Sequence, residues 1–119
     1  MGNTLKDLKL GYGDKVNQPD FWVVLKFPRV EPTSYRVLVA WSGGYIHGNS
    51  WRLSSGVTGV LKDGDNYNFE NVSGSCYKCH KDAYGLHFGS LPTYESLVVS
   101  SGVEMLDEDT DWIGVDWNV

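Results

Sequence analysis

The sequence has few of the residues and segments that long helices and membrane insertion require. Alanine occurs only twice, at Ala40 and Ala83, so the composition disfavours helix. No apolar run approaches the roughly 20 residues that cross a bilayer. The polar N-terminus, MGNTLKDLKLGYGDK, lacks the apolar segment of a signal peptide. We therefore expect a cytoplasmic protein that makes no membrane contact and keeps both of its cysteines reduced.

Recognisable catalytic motifs are also lacking. The chain contains no nucleophile-elbow sequence and no glycine-rich phosphate loop. Ser54, Ser55, His47 and Asp65 could be combined into a triad, but no spacing in the sequence favours that combination. The sequence thus favours a protein without catalytic activity.

The abundant residues favour β-structure. Five Trp, seven Tyr, four Phe and fourteen Gly suit pleated surfaces joined by tight turns. An Asp-Gly pair at Asp63–Gly64 lies between two apolar segments and predicts a hairpin, within a three-stranded meander from Trp51 to Lys81. Segments with a strand pattern cover residues 20–27, 35–41, 50–60, 66–72 and 76–81.

The two ends of the chain have weaker patterns. Residues 1–19 are predicted to be a loosely ordered arm or one to two helical turns. A short helix is expected over 92–99, with Pro92 in its first turn and Gly102 as its C-terminal cap. A strand is predicted over 103–106, and an edge strand is predicted over 112–119.

Together these elements predict one domain over residues 1–119, all-β or β-rich α+β. The expected architecture is a small antiparallel barrel or sandwich of about five to seven short strands with one short helix. An edge strand at 112–119 could pair across a two-fold axis, so a homodimer is one option.

The cysteines form a candidate site. Cys76, Cys79 and His80 match the CxxCH motif that attaches c-type haem, and the same thiols with His80 or His87, and with His47, could bind zinc. On a strand, however, the two thiols point to opposite faces. We therefore expect neither haem nor zinc, and interpret Cys79 as a small core residue and Cys76 as half-exposed. A zinc protein or a hydrolase that uses this cluster remains the alternative.

Charge is distributed unequally along the chain. Residues 1–60 carry seven Lys/Arg against four Asp/Glu, whereas residues 61–119 carry three against eleven. This acidic half argues against general nucleic-acid binding, which needs clustered cations. It permits contact with a basic partner or maintains solubility. The excess is densest at Asp107, Glu108, Asp109 and Asp111, which lack the glycine and glutamate that complete a calcium loop.

Aromatic residues flank the turn-rich stretch SGGYIHGNSW. Trp41, Tyr45, His47 and Trp51 could form an exposed surface that binds peptides, sugars or bases, or a pocket for a small molecule. Alternatively, Trp41 and Trp51 seal the end of a small barrel or sandwich.

The runs WSGGYIHGNSWRLSSGV and SGSCYKCHKDAYG, which lie within residues 40–85, resemble small proteins without an assigned activity that tailed bacteriophages encode. In that pattern Tyr77, Cys79 and Lys81 recur on one face of a strand, which implies a structural cysteine. The resemblance implies an acidic accessory protein in an infected bacterial cytoplasm, where such proteins bind host proteins. Our leading hypothesis is a non-catalytic module that binds a protein through an aromatic and acidic surface.

Overall fold

The computed structural model of the chain describes residues 16–30, 33–44 and 48–117. Within these ranges the chain forms eight strands, one α-helix and one 3-10 turn. The strands are β1 (Val16–Asn17), β2 (Phe21–Phe27), β3 (Ser34–Gly44), β4 (Gly48–Leu53), β5 (Val57–Asp63), β6 (Asn66–Asn71), β7 (Cys76–His80) and β8 (Glu104–Met105), with the helix α1 over Leu91–Ser101 and the 3-10 turn over Lys81–Ala83.

The strands form two four-stranded sheets. The first sheet has the order β1-β7-β6-β5 and the second has the order β4-β3-β2-β8. All pairs are antiparallel except β1 with β7. The two sheets pack face to face as a sandwich and do not close into a barrel. The predicted β-rich class is therefore confirmed, with the sandwich as its architecture.

Strand β2 is buried on both faces, which explains its nearly continuous apolar sequence, FWVVLKF. Trp22 and Val24 belong to the core between the sheets. Val23, Leu25 and Phe27 pack on the opposite face with residues of α1. This one strand therefore contributes side chains to two cores. Burying each such side chain stabilises the fold by roughly 1.5–3 kcal/mol.

Helix α1 covers the outer face of the second sheet. Tyr94 and Leu97 pack against that face, and Pro92 lies in the first turn. Gly102 ends the helix in the left-handed conformation with φ 61°, as its position in the sequence predicts. No helix in the described part of the chain is long and apolar enough to cross a membrane.

The predicted strand over 50–60 is wrong, because the chain changes sheets within it. Strand β4 ends at Leu53 in the second sheet, and β5 begins at Val57 in the first. The buried Ser54 ends β4, because its Oγ accepts a 2.9 Å hydrogen bond from the Val37 N–H. If the strand continued, this N–H would instead donate to a backbone carbonyl of β4. The meander therefore consists of β5, β6 and β7 and does not include Trp51.

The predicted edge strand over 112–119 is also wrong in its described part. Residues 112–117 form turns, and residues 118 and 119 lie outside the described residues. Trp112 and Trp117 are instead buried between the sheets, with Trp112 5.3 Å from the Trp22 ring and 6.0 Å from the Phe69 ring. Filling the core with two large rings outweighs the few hydrogen bonds that a short edge strand would add.

Candidate functional site

Cys76 and Cys79 lie on opposite faces of β7. Cys79 belongs to the core between the sheets, whereas Cys76 lies on the other face, beside Glu70 of β6 and Val16 of β1. Both are free cysteines and both are buried. The prediction of a half-exposed Cys76 is therefore wrong, because only 2% of that residue is exposed.

Burial also suppresses the reactivity of both thiols. Desolvation and, to a smaller extent, the charge of Glu70 raise the pKa of Cys76 to about 11, with Lys78 partly offsetting them. Desolvation and the neighbouring Cys76 hold the pKa of Cys79 well above its ordinary value. Because the thiolate is the nucleophile and the metal ligand, burial disfavours the reactive form of both cysteines.

The histidines are held by their own local turns. His80 is exposed, and its Nδ1 accepts a 3.1 Å hydrogen bond from the Asp82 N–H. His87 is buried, and its Nδ1 accepts a 3.0 Å bond from the Gly89 N–H. His47 lies outside the described residues. No group of three His, Cys, Asp or Glu side chains within residues 16–30, 33–44 and 48–117 could hold a metal ion.

Trp41 and Trp51 lie on opposite faces of the second sheet. In the pairing of β3 with β4, Trp41 is opposite Ser50 and Ala40 is opposite Trp51. Trp41 packs against the core between the sheets, where its Nε1 donates a 2.9 Å bond to the Gln18 carbonyl. Tyr45 and His47 lie outside the described residues. The two tryptophans therefore do not line one pocket.

Trp51 shares its face with other aromatic residues. Phe21, Ala40 and Trp51 form a row across β2, β3 and β4 on the face that carries α1. The His87 ring lies 5.0 Å from the Phe21 ring and 4.3 Å from the Phe88 ring. Trp51 is 46% exposed and Phe88 is 73% exposed. We call Phe21, Trp51, His87 and Phe88 the aromatic patch.

The loop that presents Phe88 is fixed on both sides. The Gly85 N–H donates to the Trp22 carbonyl at 2.9 Å, which attaches the start of the loop to β2. The Ser90 N–H and Oγ both donate to the His87 carbonyl, at 2.9 and 3.0 Å, and the Gly89 bond to His87 closes the same turn. Phe88 is thus held at the tip of a hydrogen-bonded turn and directed away from the core.

Sequence reasoning did not identify Phe21 or Phe88 as site residues. Phe21 begins an apolar strand and has the pattern of a core residue. Phe88 lies in a loop whose sequence contains glycines and aromatics, and this composition was the only available signal. The strand register aligns Phe21 with Trp51 across β3, and the His87 ring connects Phe88 to Phe21.

The acidic residues form an exposed turn after β8. All four carboxylates of this acidic turn are exposed: Asp107, Glu108, Asp109 and Asp111. The Thr110 N–H and Oγ1 both donate to the Asp107 carbonyl, at 3.1 and 2.6 Å, and order the turn.

Tyr84 connects the acidic turn to the loop that carries Phe88. Its hydroxyl accepts a 3.2 Å bond from the Val24 N–H and donates to the Leu106 carbonyl, directly before the acidic turn. Burial raises the pKa of Tyr84 to about 12, and the charges of Asp107 and Glu108 contribute. The acidic turn and the Phe88 loop therefore leave the sheet at the same edge, beside β2.

No protein-family model, curated protein or solved structure matches this chain. The site is therefore interpreted from its own geometry. An exposed ring on a fixed loop, such as that of Phe88, gains free energy when a partner buries it, and carboxylates at the same edge of the sheet favour a positively charged contact.

Proposed function

We propose that the chain is a non-catalytic interaction module that binds another protein through the aromatic patch and the acidic turn. The observation that carries this proposal is the exposure of Phe88: this large apolar side chain is 73% exposed at the tip of a hydrogen-bonded turn. Phe88 belongs to neither core cluster, and apart from its contact with the His87 ring most of its apolar surface faces water.

The energetics suit recognition of a protein. Burying a Phe side chain stabilises a complex by roughly 1.5–3 kcal/mol, and aromatic anchors commonly dominate the binding energy of protein interfaces. Because the Phe88 loop is tied to β2 and closed at His87, little conformational freedom is lost on binding. A fixed anchor of this kind favours a preformed complementary surface on the partner.

The acidic turn favours a partner with a positively charged surface. Its four exposed carboxylates accelerate encounter with a basic surface and repel phosphate backbones. We therefore propose a partner with Lys or Arg residues around an apolar cavity, and not a nucleic acid. Added salt is expected to slow association more than it accelerates dissociation.

The biological setting follows from the resemblance of residues 40–85 to small proteins of tailed bacteriophages. On that basis the chain is an accessory protein in the cytoplasm of an infected bacterium, and the partner is a host protein. The resemblance supports this setting but supplies no ligand or residue role. The contact residues are proposed on a different ground, because Trp51, Phe88 and the carboxylates of the acidic turn are exposed.

The proposal is tested by quantitative affinity capture from a bacterial lysate. Wild type is compared with Phe88→Ala and with a matched control, Val72→Ala, since Val72 is 74% exposed and lies on a turn of the other sheet. We expect one protein to be retained by wild type and Val72→Ala and lost with Phe88→Ala. With the purified partner, calorimetry should give an affinity at least about tenfold weaker for Phe88→Ala.

Two outcomes contradict the proposal. Either no protein is retained above the background of an empty support, or Phe88→Ala retains the partner as well as Val72→Ala does. In the second case the partner binds elsewhere, and the aromatic patch has no part in recognition.

A further inference from the structure

Strand β4 is an edge strand of the described sheet, and it pairs with β3 in one continuous register from Ser50 to Leu53; the register shift of this pair lies before Ser50, between Trp41 and Gly44 of β3. Among the described strands it has β3 as a neighbour on one side only. The other edge strands are blunted: β1 and β8 have two residues each, and β5 has a register shift after Val57 and ends with Lys62 and Asp63. Strand β4 has six residues, contains no proline and carries one charge, at Arg52.

The outward-facing backbone groups of β4 belong to Asn49, Trp51 and Leu53. The Ser54 N–H donates to the Val37 carbonyl at 2.9 Å and therefore points towards β3. Backbone groups alternate in direction along an antiparallel strand, so those of Ser50 and Arg52 also point towards β3. The N–H and C=O groups of Asn49, Trp51 and Leu53 point away from the sheet.

A second copy of β4 matches these groups in one register. With a two-fold axis at Trp51, the backbone of Trp51 pairs with Trp51 of the second copy, and the backbone of Leu53 pairs with that of Asn49. Arg52 then lies opposite Ser50. An axis at Arg52 would instead oppose two guanidinium groups, and an axis at Ser50 would leave Leu53 unpaired.

We propose that two copies of the chain pair antiparallel through β4, with the two-fold axis at Trp51. The axis is perpendicular to the sheet, so it keeps the same face of the sheet on the same side in both copies. The two Trp51 side chains then become cross-strand neighbours, and the aromatic patch continues from one copy into the other. The second copy thus contributes Trp51 to the site. This assembly goes beyond the proposed function and does not depend on it.

Sedimentation of the untagged protein over a wide range of concentration tests the assembly. The wild-type mass should approach twice the 13.3 kDa chain mass as the concentration rises. Trp51→Lys places two like charges opposite each other at the axis and should remain at the chain mass. The matched control is Leu61→Lys, because Leu61 is 56% exposed on the edge strand β5 of the other sheet, and this variant should associate as wild type does.

Hydrogen exchange on wild type provides a readout that needs no variant. The amides of Trp51 and Leu53 should gain protection as the concentration rises, whereas those of Ser50 and Arg52 should be protected throughout by β3. A wild-type mass that stays at one chain, equal association of Trp51→Lys and wild type, or fast exchange of Trp51 and Leu53 at every concentration would overturn the proposal. None of these measurements involves a host protein, so failure of the dimer and failure of partner binding are distinguished.

Discussion

Replacing Trp112 with alanine tests whether the C-terminal segment belongs to the core. Trp112 is 3% exposed, and its ring lies 5.3 Å from Trp22, 5.4 Å from Tyr84 and 6.0 Å from Phe69. Truncating a buried tryptophan costs about 3–5 kcal/mol through lost burial and the cavity left behind. That is a large part of the 5–15 kcal/mol that stabilises a typical domain.

Ile113 is the matched control, because it is adjacent in sequence but 52% exposed. Ile113→Ala should change the free energy of unfolding by less than about 0.5 kcal/mol. Equilibrium unfolding in urea, followed by circular dichroism, measures both variants without relying on tryptophan fluorescence. A loss below about 1 kcal/mol for Trp112→Ala, or an equal loss for the two variants, would refute the burial of this segment between the sheets.

Two further predictions concern the cysteines. Because burial raises the pKa of Cys76 from 9.0 to about 11, the unfolded chain loses this proton first, and the free energy of unfolding falls as the pH rises above 9.0. This difference corresponds to about 3 kcal/mol in full, so the free energy of unfolding should fall less steeply with pH for Cys76→Ala than for wild type between about pH 9 and pH 11; parallel curves would contradict this. Cys79→Ala should lower the free energy of unfolding by about 1–2 kcal/mol and leave the zinc content of the purified protein unchanged, as measured by plasma emission. A stoichiometric zinc ion that is present in wild type and lost in this variant would restore the metal-site hypothesis.

The features that the sequence predicted well depend on local chemistry. The Asp63–Gly64 pair forms the β5–β6 turn because glycine adopts the positive φ of 61° found at Gly64 without a steric penalty. Gly102 ends α1 for the same reason, and an added Cβ there would lie 2.7 Å from the Arg29 guanidinium. The continuous apolar run of β2 indicates burial, and the structure buries both of its faces. These signals lie within a few residues of the feature they define.

The features that the sequence did not predict depend on distant partners. The break at Ser54 depends on Val37, which lies 17 residues away, and no local pattern separates Leu53 from Val57. Trp112 and Trp117 occur among small and polar residues, which resembles the alternation of an edge strand. Only the space between the sheets, which is defined by residues far away in the chain, makes their burial the better outcome.

The candidate site illustrates the same limit at the level of function. Proximity in sequence grouped Trp41 with Trp51, but alternation along β3 and the pairing of β3 with β4 place these two rings on opposite faces. The same register brings Trp51 into line with Phe21, and the His87 ring lies against both Phe21 and Phe88. A surface that crosses three strands and a loop has no continuous motif. Variants at Phe88 and Trp51 therefore test the proposed binding and the proposed assembly, whereas the Cys79→Ala variant tests packing against the metal-site hypothesis.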